Sequence, residues 1–312
     1  MDFNNVARGI GDSIRIETNK TMIKQLTIIS GKGGTGKTTL AASLAALAGG
    51  AVLADCDVDA ADLHLLLDPK IKQSNDFEGG YSAEIDQKLC THCGLCLEHC
   101  RFEAISDDFV INSLQCEGCG ACFDVCPAEA VVFERECAGQ WFESTTRFGP
   151  MVHAALGAGQ DNSGKLVSQV RSRAMEIAKE ENRDLVIIDG PPGVGCPVIS
   201  AITGVDLLLL CAEPTPSGRH DLLRVLELAD HFKIQAAVCM NKVDLAPEKS
   251  REILDEAKKR GAHIVGTIPY DTKAVESMMQ GKTVIEFDDG PLADSFKNIW
   301  TETTKLLVNE HK

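Results

Sequence analysis

The sequence predicts an α/β protein: a doubly wound, mostly parallel sheet covered by helices on both faces, with a small α+β unit inserted after the second strand. Three observations carry this. Apolar runs of strand length near residues 25–29, 51–54, 185–188, 205–211, 235–240 and 264–268 alternate with helical stretches such as residues 166–181 and 220–232. Alternation of that kind implies parallel strands joined by crossover helices. A glycine-rich turn joins the first run to a helical stretch over residues 39–48, the strand, loop, helix order of a phosphate-binding loop. Finally, eight of the 13 cysteines fall between the second and third runs as two copies of one spacing. At 312 residues the chain has room for one large core and a small satellite.

Residues 1–21 carry charges throughout and lack the apolar stretch of a signal peptide. They are expected to be a disordered extension or to reflect an upstream translation start, and no chemistry is assigned to them. The first strand leads into Gly31, Lys32, Gly33, Gly34, Thr35, Gly36, Lys37 and Thr38, a fit to G-x4-G-K-[ST], with Thr39 next in the helix. Glycines let backbone N–H groups close around phosphate oxygens, Lys37 reaches the β and γ phosphates, and the Thr38 hydroxyl ligates Mg²⁺. ATP or ADP with Mg²⁺ is therefore expected here. Lys32 is an additional cation early in the loop. A solvated lysine is the plainer reading, but a charge at that position faces the phosphates.

The cysteine copies are Cys90, Cys93, Cys96, Cys100 and Cys116, Cys119, Cys122, Cys126, each C-x2-C-x2-C-x3-C. This is the bacterial ferredoxin ligand pattern, in which three thiolates hold one 4Fe-4S cube and the fourth reaches the neighbouring cube. The expected sets are Cys90, Cys93, Cys96 with Cys126, and Cys116, Cys119, Cys122 with Cys100. A shift of 26 residues relates the copies and also superposes Gly94 on Gly120, Glu103 on Glu129, Ala104 on Ala130 and Ile105 on Val131. Zinc sites use C-x2-C pairs with longer spacers, and disulfides need an oxidising compartment. Pro127 follows Cys126 as the pattern expects, whereas Arg101 follows Cys100. His92 and His99 read as solvated surface residues. Of the remaining cysteines, Cys211 and Cys239 lie in apolar strand-like runs and read as core.

In the second half, residues 185–188 end in Asp189, and a carboxylate at a strand's carboxyl end beside a glycine turn can hold Mg²⁺ and its waters. A purely structural turn is the alternative. Asn241 follows another strand-like run; its amide can pair with an adenine edge or simply form a turn.

With its early lysine, GKGGTGKTT resembles the deviant Walker A loop of the MinD/ParA/Mrp ATPases and of the nitrogenase iron protein. More closely, the chain resembles MinD-superfamily P-loop ATPases that carry an inserted ferredoxin domain. The resemblance covers residues 22 to about 300 and includes Asp55-Cys56-Asp57, Ile188-Asp189-Gly190-Pro191-Pro192-Gly193 with Cys196-Pro197, Glu213-Pro214-Thr215, Asn241-Lys242-Val243-Asp244 and Ile268-Pro269-Tyr270-Asp271. It implies that Asp57 positions the attacking water, with Asp59 and Asp62 as alternatives, and that Asp55 is the carboxylate nearer the metal. It also implies that Asn241, Lys242 and Pro269 lie at the nucleotide, and that Lys32 crosses to a partner's phosphates in an ATP-bridged dimer. Lys32, Lys37, Asp57 and Asp189 are thus the expected hydrolytic residues.

The expected division is a P-loop ATPase domain over residues 22–81 and 137–312, with a ferredoxin domain over residues 82–136. Residues 70–80 read as the linker leading in, residues 141–156 as β structure rejoining the sheet, and residues 157–164 as a polar loop. Cys196 reads as a buried packing thiol in preference to a ligand for a bridging metal or cluster. Residues 292–307 have helical spacing and few basic residues, which favours a helix packed on the domain over a membrane-targeting tail.

A net charge of -15 opposes unspecific binding to nucleic acid or anionic membranes, and no run of 18 apolar residues occurs. The expectation is a cytoplasmic ATPase, a homodimer or a heterodimer with a paralogue, that couples nucleotide turnover to electron transfer toward an unknown partner. A cluster carrier is the first alternative, and a positioning switch of the MinD or ParA kind is the second.

Overall fold

A computed structural model of the chain describes residues 22–113, 115–157 and 163–308. The extension over residues 1–21 and most of the polar loop 157–164 lie outside the described residues. In order the elements are β1 (Lys24–Ile29), α1 (Lys37–Ala48), β2 (Val52–Asp55), α2 (Leu63–Leu67), β3 (Lys70–Ile85), α3 (Leu95–His99), α4 (Ala121–Asp124), β4 (Val131–Thr146), β5 (Gly149–Leu156) and α5 (Ser163–Glu180). They continue through β6 (Leu185–Asp189), α6 (Cys196–Ile202), β7 (Leu207–Ala212), α7 (Pro216–His231), β8 (Ala236–Asn241), α8 (Pro247–Lys259), β9 (His263–Ile268), α9 (Lys273–Met279), α10 (Val284–Phe287) and α11 (Pro291–Val308).

The nine strands form one sheet in the order β3-β4-β5-β2-β6-β1-β7-β8-β9, and every pairing from β5 through β9 is parallel. Both faces are covered, so the parallel strands are apolar at consecutive positions. Successive residues divide between two cores: Leu208, Leu210 and Ala212 face the core of α5, α6, α7 and α8, while Leu207, Leu209 and Cys211 face that of α1, α2 and α11. Cys211 and Cys239 are buried core residues, as the sequence implies. α11 also packs as expected, burying Leu292, Phe296, Ile299 and Leu307 against the second core.

Residues 70–80 are not a linker. They belong to the 16-residue strand β3, paired antiparallel with β4 along its whole length. The strand was hidden because most of its residues are exposed, so it lacks a continuous apolar face. Such polar edge strands are held by backbone pairing and discourage further sheet addition. β4 in turn pairs antiparallel with β5, giving the parallel sheet an antiparallel border.

The register determines where the cysteine segment projects. β5 runs parallel to β2 and pairs with β4 only from Gly149↔Thr146 to Leu156↔Gly139, whereas β3 and β4 stay paired out to Ile85↔Val131. Residues 131–138 therefore overhang the carboxyl edge of the parallel strands by roughly 25 Å at about 3.3 Å per residue. The segment at the end of this ribbon keeps a small core of its own from Ile85, Cys96, Ile105 and Val131.

Its internal repeat is visible in the backbone. The Asp86 amide donates to the Ala130 carbonyl and the Asn112 amide to the Ala104 carbonyl, both at 2.8 Å, so each half pairs with the end of the other. His92 and Gly118, Gly94 and Gly120, and Glu103 and Glu129 are pairs 26 residues apart that share positive φ. His92 and His99 are exposed, in keeping with the solvated reading. Cys196 is exposed rather than buried, contrary to the packing expectation. As the first residue of α6 it faces away from the core, which the helix meets through Val198, Ala201 and Ile202.

Candidate functional site

The phosphate loop leaves β1 at Ile29 and enters α1 at Lys37, whose N-cap, Gly36, has φ 91°. A side chain at Gly36 would be strained by that angle and would meet the Asn241 Nδ2, 2.5 Å from its Cβ. β1, β2, β6, β7, β8 and β9 all deliver residues to this carboxyl edge of the sheet, where open α/β folds bind ligands. The structure thus brings together residues far apart in sequence.

At the centre, Lys37 Nζ lies 2.6 Å from Asp189 Oδ1 and 3.4 Å from Asp57 Oδ2. Asp55, Asp189 and Lys37 are buried. Asp55 accepts hydrogen bonds from the amides of Asp57 (3.2 Å) and Leu63 (3.3 Å), tying the end of β2 to the start of α2. Burial opposes the charge on Lys37, but the attraction of Asp189 and then Asp57 outweighs it and pushes its pKa up to about 12. Burial and the nearby Asp189 charge hold the Asp55 carboxyl well above the usual carboxylate range. The Asp57 carboxyl is also raised, chiefly by burial.

Three carboxyl groups face one lysine in a largely buried site. Asp189 Oδ2 and Thr35 Oγ1 are moreover buried without hydrogen-bond partners. Those unsatisfied atoms fit a divalent cation and phosphate oxygens. Thr38 is close enough for its Oγ1 to stand 3.4 Å from Lys37 Nζ, and the Thr39 hydroxyl points to Met278 Sδ at 3.3 Å.

Asn241 donates from Nδ2 to the Thr35 carbonyl (2.7 Å) and accepts at Oδ1 from the Lys242 amide (2.9 Å). It braces the loop, leaving one N–H and one lone pair for a base edge. Lys242 Nζ donates to the Gly34 carbonyl at 3.3 Å. Pro269 follows β9, and the next residue, Tyr270, donates its amide to Asp244 Oδ1 at 2.6 Å, joining the loops after β8 and β9.

Glu213 is legible in the sequence only as part of the resemblance. It ion-pairs with both Lys32 and Lys242, the latter at 3.2 Å, and Lys32 Nζ also donates to Ser217 Oγ at 3.2 Å. Burial raises the Glu213 pKa, but the hydrogen bonds from the two lysines prevail and hold it below the usual range. The available signal was the one that found Asp189: a carboxylate just after an apolar strand.

At the ribbon's end the cysteines surround two openings. Cys100, Cys116, Cys119 and Cys122 line a space of about 350 Å³, and Cys90, Cys93, Cys96 and Cys126 line one of about 300 Å³. The Ala130 amide donates to Cys126 Sγ at 3.3 Å. Among the described residues no three His, Cys, Asp or Glu side chains converge as around a single ion. Four sulfur donors distributed around each space, among largely apolar walls, fit an iron-sulfur cube by donor chemistry.

Among the described residues no helix is long and apolar enough to cross a membrane. An uncharacterized protein of Methanocaldococcus jannaschii (strain ATCC 43067), MJ0578, is 35% identical over 92% of this chain and 98% of its own length. The iron-sulfur cluster carrier protein of Pyrococcus horikoshii is 26% identical over 48% of this chain and 53% of its own. The fold is similar to that of the Pyrococcus horikoshii septum site-determining protein MinD complexed with Mg-ADP, with TM-score 0.56, 18% identity and coverage of 93% of this chain and 100% of that one. Residues 26–284 match the CobQ/CobB/MinD/ParA nucleotide binding domain, so the chain belongs to that P-loop family.

Proposed function

We propose that the protein hydrolyses ATP and uses the nucleotide cycle to gate electron transfer through two 4Fe-4S clusters, acting as an ATP-bridged homodimer or with a paralogue in the cytoplasm. The observation that carries this reading is the β3–β4 ribbon, which overhangs the nucleotide edge of the sheet and ends in two four-cysteine cavities. When bound, the cubes supply one-electron storage and transfer, with Cys90, Cys93, Cys96, Cys126 and Cys116, Cys119, Cys122, Cys100 as their ligand sets. Nucleotide entry would draw Lys37 from Asp189 and Asp57 to the β and γ phosphates, freeing Asp189 to hold Mg²⁺ with Thr38 and Asp55. Freed from Lys37, Asp57 orients water for in-line attack, while Asn241, Lys242 and Pro269 border the base. Lys32 leaves Glu213 for the γ phosphate of the facing subunit and stabilises transition-state charge.

The test is anaerobic redox titration of the iron-loaded chain without nucleotide, with ADP and with a non-hydrolysable ATP analogue. A potential that shifts with nucleotide, with reciprocal dependence of analogue affinity on redox state, supports gating; linkage of this kind is typically worth about 1–3 kcal/mol. Unshifted potentials overturn it. The Pyrococcus horikoshii relative's name, iron-sulfur cluster carrier protein, favours a second reading in which the clusters are delivered to a client. ATP-dependent loss of iron to an apo-protein, with unshifted potentials, would select that reading. The cysteine unit argues against a pure positioning switch, since localisation needs no redox centre.

A further inference from the structure

Where β4 parts from β5, the ribbon changes register on both strands. Phe77 pairs with Gly139, Glu78 with Cys137 and Gly80 with Glu136, so Ala138 is skipped on β4 and Gly79 on β3. The two skipped residues lie against each other: a Cβ on Gly79 would overlap that of Ala138. On the inboard side, Phe77 and Ala138 are buried in the core shared with α5 and α6. On the outboard side, Tyr81 and Val132 are exposed and the ribbon is only two strands wide. Paired bulges bend a ribbon locally and spare the ladder on either side.

The same point is wired to the nucleotide site. The Val58 carbonyl, one residue beyond Asp57, accepts from the Leu156 amide at 3.2 Å, and the next amide, Gly157, donates to the Ala138 carbonyl at 2.7 Å. Two consecutive amides therefore connect the Asp57 loop to the unpaired residue of the ribbon. A shift of that loop toward a γ phosphate that keeps this bond pulls on Leu156, and the next amide passes the pull to Ala138.

We propose that the double bulge at Gly79 and Ala138 is the joint through which occupancy of the γ-phosphate position reorients the cysteine unit. This deepens the gating reading and rests on it, by naming the positioning residues that transmit the signal. Gly79 supplies the clearance for Ala138 to move, and the Gly157 amide supplies the pull. None of the three lines either cysteine space or the opening beside the phosphate loop.

Hydrogen exchange on the full, iron-loaded chain, with and without a non-hydrolysable ATP analogue, tests this. In the wild type the analogue should change exchange of residues 131–138 and of Gly157 at least threefold. Gly79→Ala, which jams the joint, should reduce that response below 1.5-fold while phosphate-loop protection persists. Adding Ala138→Gly removes the colliding methyl and should restore the response. Gly157→Pro deletes the connecting N–H and sets its ring against the Ala138 carbonyl from the loop side, leaving Gly79 untouched, and should uncouple the ribbon even if Gly79→Ala does not fold. A wild-type ribbon indifferent to the analogue, or a wild-type response in Gly157→Pro, overturns the joint. Iron and sulfide content and the redox titration are read on the same samples. A ribbon that responds in a chain whose potentials do not shift refutes electron gating and leaves the joint standing.

Discussion

Replacing Lys37 with methionine separates the two jobs of that residue. It removes the cation that faces Asp189 at 2.6 Å and Asp57 at 3.4 Å, with buried Asp55 behind them. Removing one partner of a buried pair typically costs about 3–5 kcal/mol, because the remaining charge stays buried and uncompensated. For 312 residues at about 2.1 cal/mol/K each, the unfolding entropy is roughly 0.65 kcal/mol/K, so Tm should fall by about 5–8 °C. The pH dependence has a definite sign. Asp55 and Asp57 have folded pKa values raised above their unfolded ones, so the folded state binds more protons and stability is lost as pH rises from about 4 through the folded values. Without Lys37 those values rise further, so the deficit of Lys37→Met should grow as pH rises from about 4. Excess Mg²⁺ should recover part of it. Anaerobic thermal unfolding of the nucleotide-free chain measures this, and binding of ATP should be lost in parallel. A Tm within 1 °C of wild type at pH 8, or a deficit that grows toward pH 5, would refute the electrostatic account.

Asp57→Asn should bind an ATP analogue within about threefold of wild type while hydrolysis falls on the order of 10²-fold; an unchanged rate would move the water-positioning role to Asp59 or Asp62. Asn241→Ala leaves the Thr35 carbonyl without its 2.7 Å partner, so nucleotide affinity should drop about tenfold, measured by calorimetry. Anaerobically reconstituted chain should hold about eight iron and eight sulfide, as two cubes require. Cys93→Ser and Cys119→Ser should each cost about half of that signal, and stoichiometric zinc in place of iron would exclude the clusters.

The strand runs, the loop from Gly31 to Thr38 and the cysteine spacing were legible because each depends on local sequence. Consecutive apolar residues mark strands buried on both faces, and glycines mark a tight anion-binding turn. The alignment of both cysteine copies at a shift of 26 residues likewise announced a duplicated backbone, which His92/Gly118 and Glu103/Glu129 show in shared positive φ. β3 was misread as a linker because its stability comes from backbone pairing with β4, about 60 residues away, and most of its side chains remain in water. Cys196 was misassigned because a helix's first residue reveals nothing of which way it faces until the helix docks. What sequence by itself determined was therefore the chemistry available: a phosphate loop, strand-end carboxylates and two sets of thiols. Tertiary structure alone decided their relations, including Glu213 holding Lys32 and Lys242, Lys37 among three carboxylates, and the overhang of the ribbon. Such relations depend on strand order and register, which arise from contacts between segments far apart in the chain and leave no local periodicity to read.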